Sequence, residues 1–128
     1  EHTGDTKFRA FGKSLEEQFT NSALAMFSIM VNYEKVRPVI KKKIKISGKD
    51  VKALLYNWLE ELLFLVDTKG FMLSRVSSLK INKKEGYVLE AIISGDKAEN
   101  YQTFEWVKAP TYNDMEITNK YVQVVLDL

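Results

Sequence analysis

The chain has 128 residues, 45% of them hydrophobic and 28% charged, with no cysteine. That make-up suits one domain spanning residues 1–128, with a core that needs no disulfide or structural zinc. The 19 basic and 17 acidic residues leave a net charge of +2, too balanced to argue for nucleic acid.

No uncharged apolar run approaches about 18 residues, so no membrane-spanning helix is expected. No signal peptide is read at Glu1, and the absence of cysteine fits a cytoplasmic location.

Glu1–Asp5 is polar and reads as a loop leading into a strand over Thr6–Phe11. Phe8 and Ala10 fall on one face of that strand, and Lys7, Arg9 and Phe11 on the other. Ser14-Leu15-Glu16-Glu17 is a capping box, a serine followed three residues on by a glutamate. It opens a helix carrying Leu15, Phe19, Ala23, Met26, Phe27 and Met30, expected to end near Val31-Asn32. Residues 32–38 read as a loop closed by Pro38. Val39–Ser47 reads as a strand with Ile40, Ile44 and Ile46 facing one way and Lys41, Lys43 and Lys45 the other.

The chain is organised around the next stretch, Val51–Gly70. Leu54, Leu55, Trp58, Leu59, Leu62, Leu63, Leu65 and Val66 give a helix with a wide apolar face. Asp50 is placed to cap its start and Gly70 to end it in a left-handed conformation. Asn57, Glu60 and Glu61 mark its wet side. So apolar a helix needs a large partner surface, and a sheet is the natural one.

Beyond Gly70 the period changes to two. Phe71–Ile81 and Tyr87–Ile93 form a hairpin around Asn82–Gly86. Ser94–Gln102 is polar and reads as a loop. Phe104–Ala109 reads as a strand stopped by Pro110. Met115–Thr118 and Tyr121–Leu128 form a last hairpin, with Val122, Val124, Leu126 and Leu128 on one face. The order β-α-β-α followed by a β-rich half predicts an α+β fold. Two amphipathic helices pack on a mostly antiparallel or mixed sheet.

Few residues here carry chemistry. There is no cysteine, no Gly-rich phosphate loop, and the only histidine is His2, best read as a solvated side chain. Two carboxylates stand out. Asp5 precedes the first strand, and Asp127 interrupts an otherwise apolar last strand. A carboxylate in such a strand is costly to bury unless paired or bound to a cation. If the first and last strands are neighbours, the two can share Ca²⁺, Mg²⁺ or Mn²⁺, all of which prefer oxygen ligands. The plainer alternative leaves Asp127 solvated at a frayed strand end. Lys41-Lys42-Lys43 and Lys45 read as a solvated strand face rather than a phosphate contact, and no aromatic residues interleave with them.

Three separated stretches resemble the archease family. They are HTGDTKFRAFGKSLEEQF, LLYNWLEELLFLVDTKGF, and VKAPTYNDMEI with the closing VVLDL. Gly4 stands where the family has Ala, and Asn113 where some members have His. The resemblance implies an archease-type α/β sandwich with an inserted strand-helix-strand module. It further implies an accessory protein, not an enzyme: an activator of the GTP- and Mn²⁺-dependent RNA ligase that joins tRNA exon halves. The RNA halves are then met indirectly, through the ligase, with no role for DNA or a membrane. The family's metal site implies Asp5, Asp127 and Leu128 as ligands of a divalent cation. The stretch around Gly95-Asp96-Lys97 resembles a family loop and suggests Asp96 and Lys97 as ligase or phosphate contacts. Two other readings remain: a stand-alone metal-dependent phosphatase or nuclease, and an RNA- or protein-binding, chaperone-like module.

Overall fold

The computed structural model describes residues 4–128; His2 lies outside the described residues. Six strands and two long helices are present among them. β1 is Asp5–Phe11, α1 Leu15–Met30, β2 Ile40–Gly48, α2 Val51–Lys69, β3 Phe71–Lys83, β4 Tyr87–Lys97, β5 Ala109–Ile117 and β6 Tyr121–Asp127. Two short 3-10 turns, Tyr33–Lys35 and Ala98–Asn100, interrupt the connections.

Local chemistry sets the helix ends. The Ser14 hydroxyl accepts from the Glu17 N–H at 3.1 Å, and the Glu17 carboxylate accepts from the Lys13 N–H. The Asp50 carboxylate accepts from the Ala53 N–H at 2.8 Å. Gly70 takes φ 62° and donates to the Leu65 and Val66 carbonyls, closing α2.

The strands form two three-stranded sheets, in orders β1-β6-β5 and β2-β4-β3, with every pairing antiparallel. The helices pack between them: α1 meets β1 and β3, while α2 meets β5 and β2. This is an α+β architecture in which each helix joins both sheets. Phe27, Leu54, Leu55, Trp58 and Leu62 are all fully buried in one shared core, as the helical periodicity predicts.

Two expectations are corrected. Ser94–Gln102 is not a loop throughout, because β4 continues to Lys97. Its polar residues belong to the sheet: Ser94 and Asp96 are buried, Ser94 in register with both β2 and β3 and Asp96 with β3. Nor is Phe104–Ala109 a strand stopped by Pro110. The N–H groups of Phe104 and Glu105 bond instead to the Met30 and Ile29 carbonyls at the end of α1, which lack helical partners. β5 begins only at Ala109 and includes Pro110. It tolerates proline because it is the edge strand of its sheet.

Between Thr111 and Glu116, β5 leaves register with β6. There Asp114, at φ 51°, lies over the outer sheet face. Its carbonyl accepts from the Gln123 side chain at 2.8 Å, and its carboxylate pairs with Lys7 at 3.5 Å. Gln123 and Val125 are thereby buried although they point away from the helices.

Candidate metal centre

In the β1–β6 register Asp5 lies directly opposite Asp127. The Leu128 N–H bonds to the Gly4 carbonyl at 3.0 Å, one residue outside that pair. This places Asp5 and Asp127 at a non-hydrogen-bonded position of the ladder, where side chains come closest. In such pairs the Cα atoms are about 4.5 Å apart and both side chains leave the same face. Both residues are exposed and sit on the face away from the helices.

Asp127 is held from both sides. β6 is the middle strand, and its Asp127 carbonyl accepts from the Lys108 N–H at 2.8 Å on the β5 side. Leu128 is half-buried and packs on the core, anchoring the strand end. Lys7, two residues along the same face, is drawn to Asp114.

Like charges placed directly opposite on a sheet repel. A divalent cation between the two carboxylates would turn that repulsion into attraction. The donor set is oxygen only, which suits Ca²⁺, Mg²⁺ or Mn²⁺ better than zinc. Among the described residues no group of three or more His, Cys, Asp or Glu side chains is assembled. Two carboxylates with further oxygens from the main chain or solvent still satisfy a hard cation. The residues present therefore fit such an ion.

Asp96 and Lys97 end up elsewhere, on the β2-β4-β3 sheet, where Lys97 is exposed. Asp96 is only 9% exposed and its carboxylate is already committed. It accepts from the Tyr101 hydroxyl at 2.7 Å, the Lys97 N–H at 2.8 Å and the Asn100 amide at 3.4 Å. Chiefly the Tyr101 hydrogen bond, then that of Lys97, holds its pKa below the usual value. The Tyr101 hydroxyl in turn accepts from the Arg37 N–H at 2.9 Å. That bond pulls the tyrosine pKa down, but desolvation and the Asp96 carboxylate outweigh it, so the net shift is upward. The group ties the end of β4 to the Arg37 loop.

The sequence reading passed over Phe104 and Trp106. They are 58% and 50% exposed on the irregular run leading to Lys108, whose N–H holds Asp127. A strand reading hides this, because it assigns such alternating aromatics to a paired sheet.

The whole chain, residues 1–128, matches the model of the Archease protein family (MTH1598/TM1083). It is 43% identical over 120 residues to the protein archease of Pyrococcus abyssi, covering 91% of this chain and 84% of that protein. With that of Methanosarcina mazei it shares 36% over 135 residues, covering 100% and 92%. The solution structure of Methanobacterium thermoautotrophicum protein 1598 superposes with a TM-score of 0.81 at 33% identity. That match covers 100% of this chain and 95% of the other. The fold is thus a two-helix, two-sheet α+β domain of a type already seen in a solved structure. The chain belongs to the archease family.

Proposed function

We propose that this protein is an accessory factor that activates a GTP- and Mn²⁺-dependent tRNA-splicing RNA ligase, promoting guanylylation of the ligase and its multiple turnover. Family membership supports the reading, and one observation carries it: the Asp5–Asp127 pair across β1 and β6. Asp5 and Asp127 present carboxylate oxygens from one sheet face, and a main-chain oxygen of Leu128 lies at the same end. Pairing within the sheet fixes both backbones, so the two side chains leave the same face from set positions before a partner arrives. Their exposure leaves the outward side open to the ligase. Asp5, Asp127 and Leu128 would hold a divalent cation there, which would supply positive charge against phosphate during nucleotidyl transfer.

Among the described residues there is no histidine or cysteine to act as base or nucleophile. The only histidine is His2 and there is no cysteine. That supports an accessory role over a phosphatase or nuclease.

The test is a ligation assay with purified ligase, GTP, Mn²⁺ and RNA halves, with and without this protein. Acceleration only when ligase is present supports the activator. RNA cleavage or dephosphorylation without ligase would establish the enzyme reading instead. Asp5→Asn and Asp127→Asn should each remove the acceleration while leaving the protein folded.

A further inference from the structure

The outer face of the β2-β4-β3 sheet, turned away from the helices, has an uneven charge. Its rows follow from the strand register. Lys41 and Arg75 flank Ser94, Lys43 and Ser78 flank Ile92, and Lys45 and Lys80 flank Glu90. Ser47 and Asn82 flank Val88. These four rows hold five cations, all exposed, and one carboxylate; the second carboxylate of this face, Asp96, lies one row further along β4 and is buried beneath the Tyr101 hydroxyl. The chain as a whole carries 19 basic and 17 acidic residues, so the remaining surface is slightly acidic. Lys45 approaches Glu90 at 4.0 Å, and Lys80 stands opposite Glu90 on the other side. Lys41, Lys43 and Arg75 have no acidic neighbour in their own rows.

The β2 lysines read from the sequence alone as a merely solvated face, but β4 brings Arg75 and Lys80 alongside them. Departing from that reading, we infer that this open sheet face binds the phosphate backbone of double-stranded RNA directly, without reading its sequence. Alternate residues on a strand are about 6.6 Å apart, and β2 lies about 9.6 Å from β3 with β4 between them. The cations therefore form two rails on a firm floor. Shallow hollows lie along them, one of about 610 Å³ lined by Lys41, Arg75, Ser77, Ser94 and Pro38, the other of about 390 Å³ between Lys43 and Lys80.

A polyanion of regular charge spacing fits such rails. The face has no aromatic side chain in these rows to stack an unpaired base, which argues against single strands. Duplex RNA is recognised mainly by shape and backbone, which this face can supply. Ile92 and Val88 are half-buried between the rails, so there is little apolar surface to enter a lipid layer. The choice of RNA over DNA rests on the function proposed above; the charge argument does not.

The experiment measures binding of an RNA duplex of about 16 base pairs by fluorescence anisotropy, without ligase, at salt from about 50 to 200 mM. Ligase stimulation plays no part in the readout, so failure of the activator reading and failure of this one are separable. Lys41→Gln/Lys43→Gln/Arg75→Gln should weaken binding tenfold or more at low salt. It should also flatten the slope of log K against log salt by about 3, one phosphate contact per residue. Glu90→Gln should tighten binding severalfold. Lys52→Gln/Lys69→Gln/Lys120→Gln changes net charge equally, at exposed positions off this face, and should leave affinity within twofold. Absence of RNA binding by the unaltered protein at low salt overturns the inference. So does an equal loss in the control variant, or tighter binding of duplex DNA, polyglutamate or anionic vesicles than of RNA.

Discussion

The indole N–H of Trp58 donates to the Phe19 carbonyl at 3.0 Å, and both side chains are fully buried. The bond joins α2 to α1 at the centre of the core. Trp58→Ala should cost about 3–5 kcal/mol, since it opens a large cavity and removes a buried hydrogen bond. Trp58→Phe should cost less, keeping most of the volume and losing the donor. Urea unfolding monitored by circular dichroism measures both; a cost below about 1 kcal/mol for Trp58→Ala would show a core that collapses around the gap.

A cation bound by Asp5 and Asp127 must stabilise the folded state by mass action. At a concentration one hundred times its Kd the gain is about 2.7 kcal/mol. Each kcal/mol should raise the melting temperature by about 2–8 °C for a domain near this size. Melting with Ca²⁺, Mg²⁺ or Mn²⁺ against matched monovalent salt should show that rise. Asp5→Asn and Asp127→Asn should abolish it while melting no lower than the unaltered protein without divalent ions, since each relieves a like-charge pair. A full cation-dependent rise in Asp127→Asn would place the ion elsewhere.

The Asp96 network predicts a pH dependence. Its folded-state pKa is lowered, first by the Tyr101 hydroxyl. A depressed carboxyl pKa contributes stability that is present above the unfolded value, about 3.9, and is lost as pH falls through the folded value. Tyr101→Phe removes the largest cause. The variant should therefore be less stable than the unaltered protein near neutral pH, with the gap narrowing as pH falls below about 4. Unfolding midpoints across that range test the sign; a gap that widens in acid would contradict it.

Gly95 has no room for a side chain. A Cβ there would overlap the Met72 carbonyl oxygen and meet the Phe71 ring at 2.8 Å. Both are fixed in β3, paired to β4 at this point. Gly95→Ala must push the strands apart and should cost at least the upper end of the about 1–3 kcal/mol typical of overpacking. Hydrogen exchange should show the loss of protection concentrated at Leu73 and Met72.

Much of this molecule is determined by short-range chemistry, and that much was legible from the chain. The capping residues Ser14 and Asp50, the stop at Gly70 and the apolar stripe through Trp58 act within one or two helical turns, because helical bonds reach only four residues. Strand alternation in β1 and β6 is equally local, and it marked Asp127 as out of place in an apolar run. Where local signals misled, a distant partner was the cause. Asp96 looks like a loop residue until Tyr101 and the Arg37 backbone bond around it, and Ser94 until β2 and β3 pair on either side of it. Phe104 looks like a strand residue until its N–H goes to α1. Only the tertiary structure set Asp5 against Asp127, or brought Arg75 to the same face as Lys41 across β4. Such pairings join residues far apart in sequence. Their register is decided by the burial of whole sheet faces against the helices, which no short stretch of the chain contains.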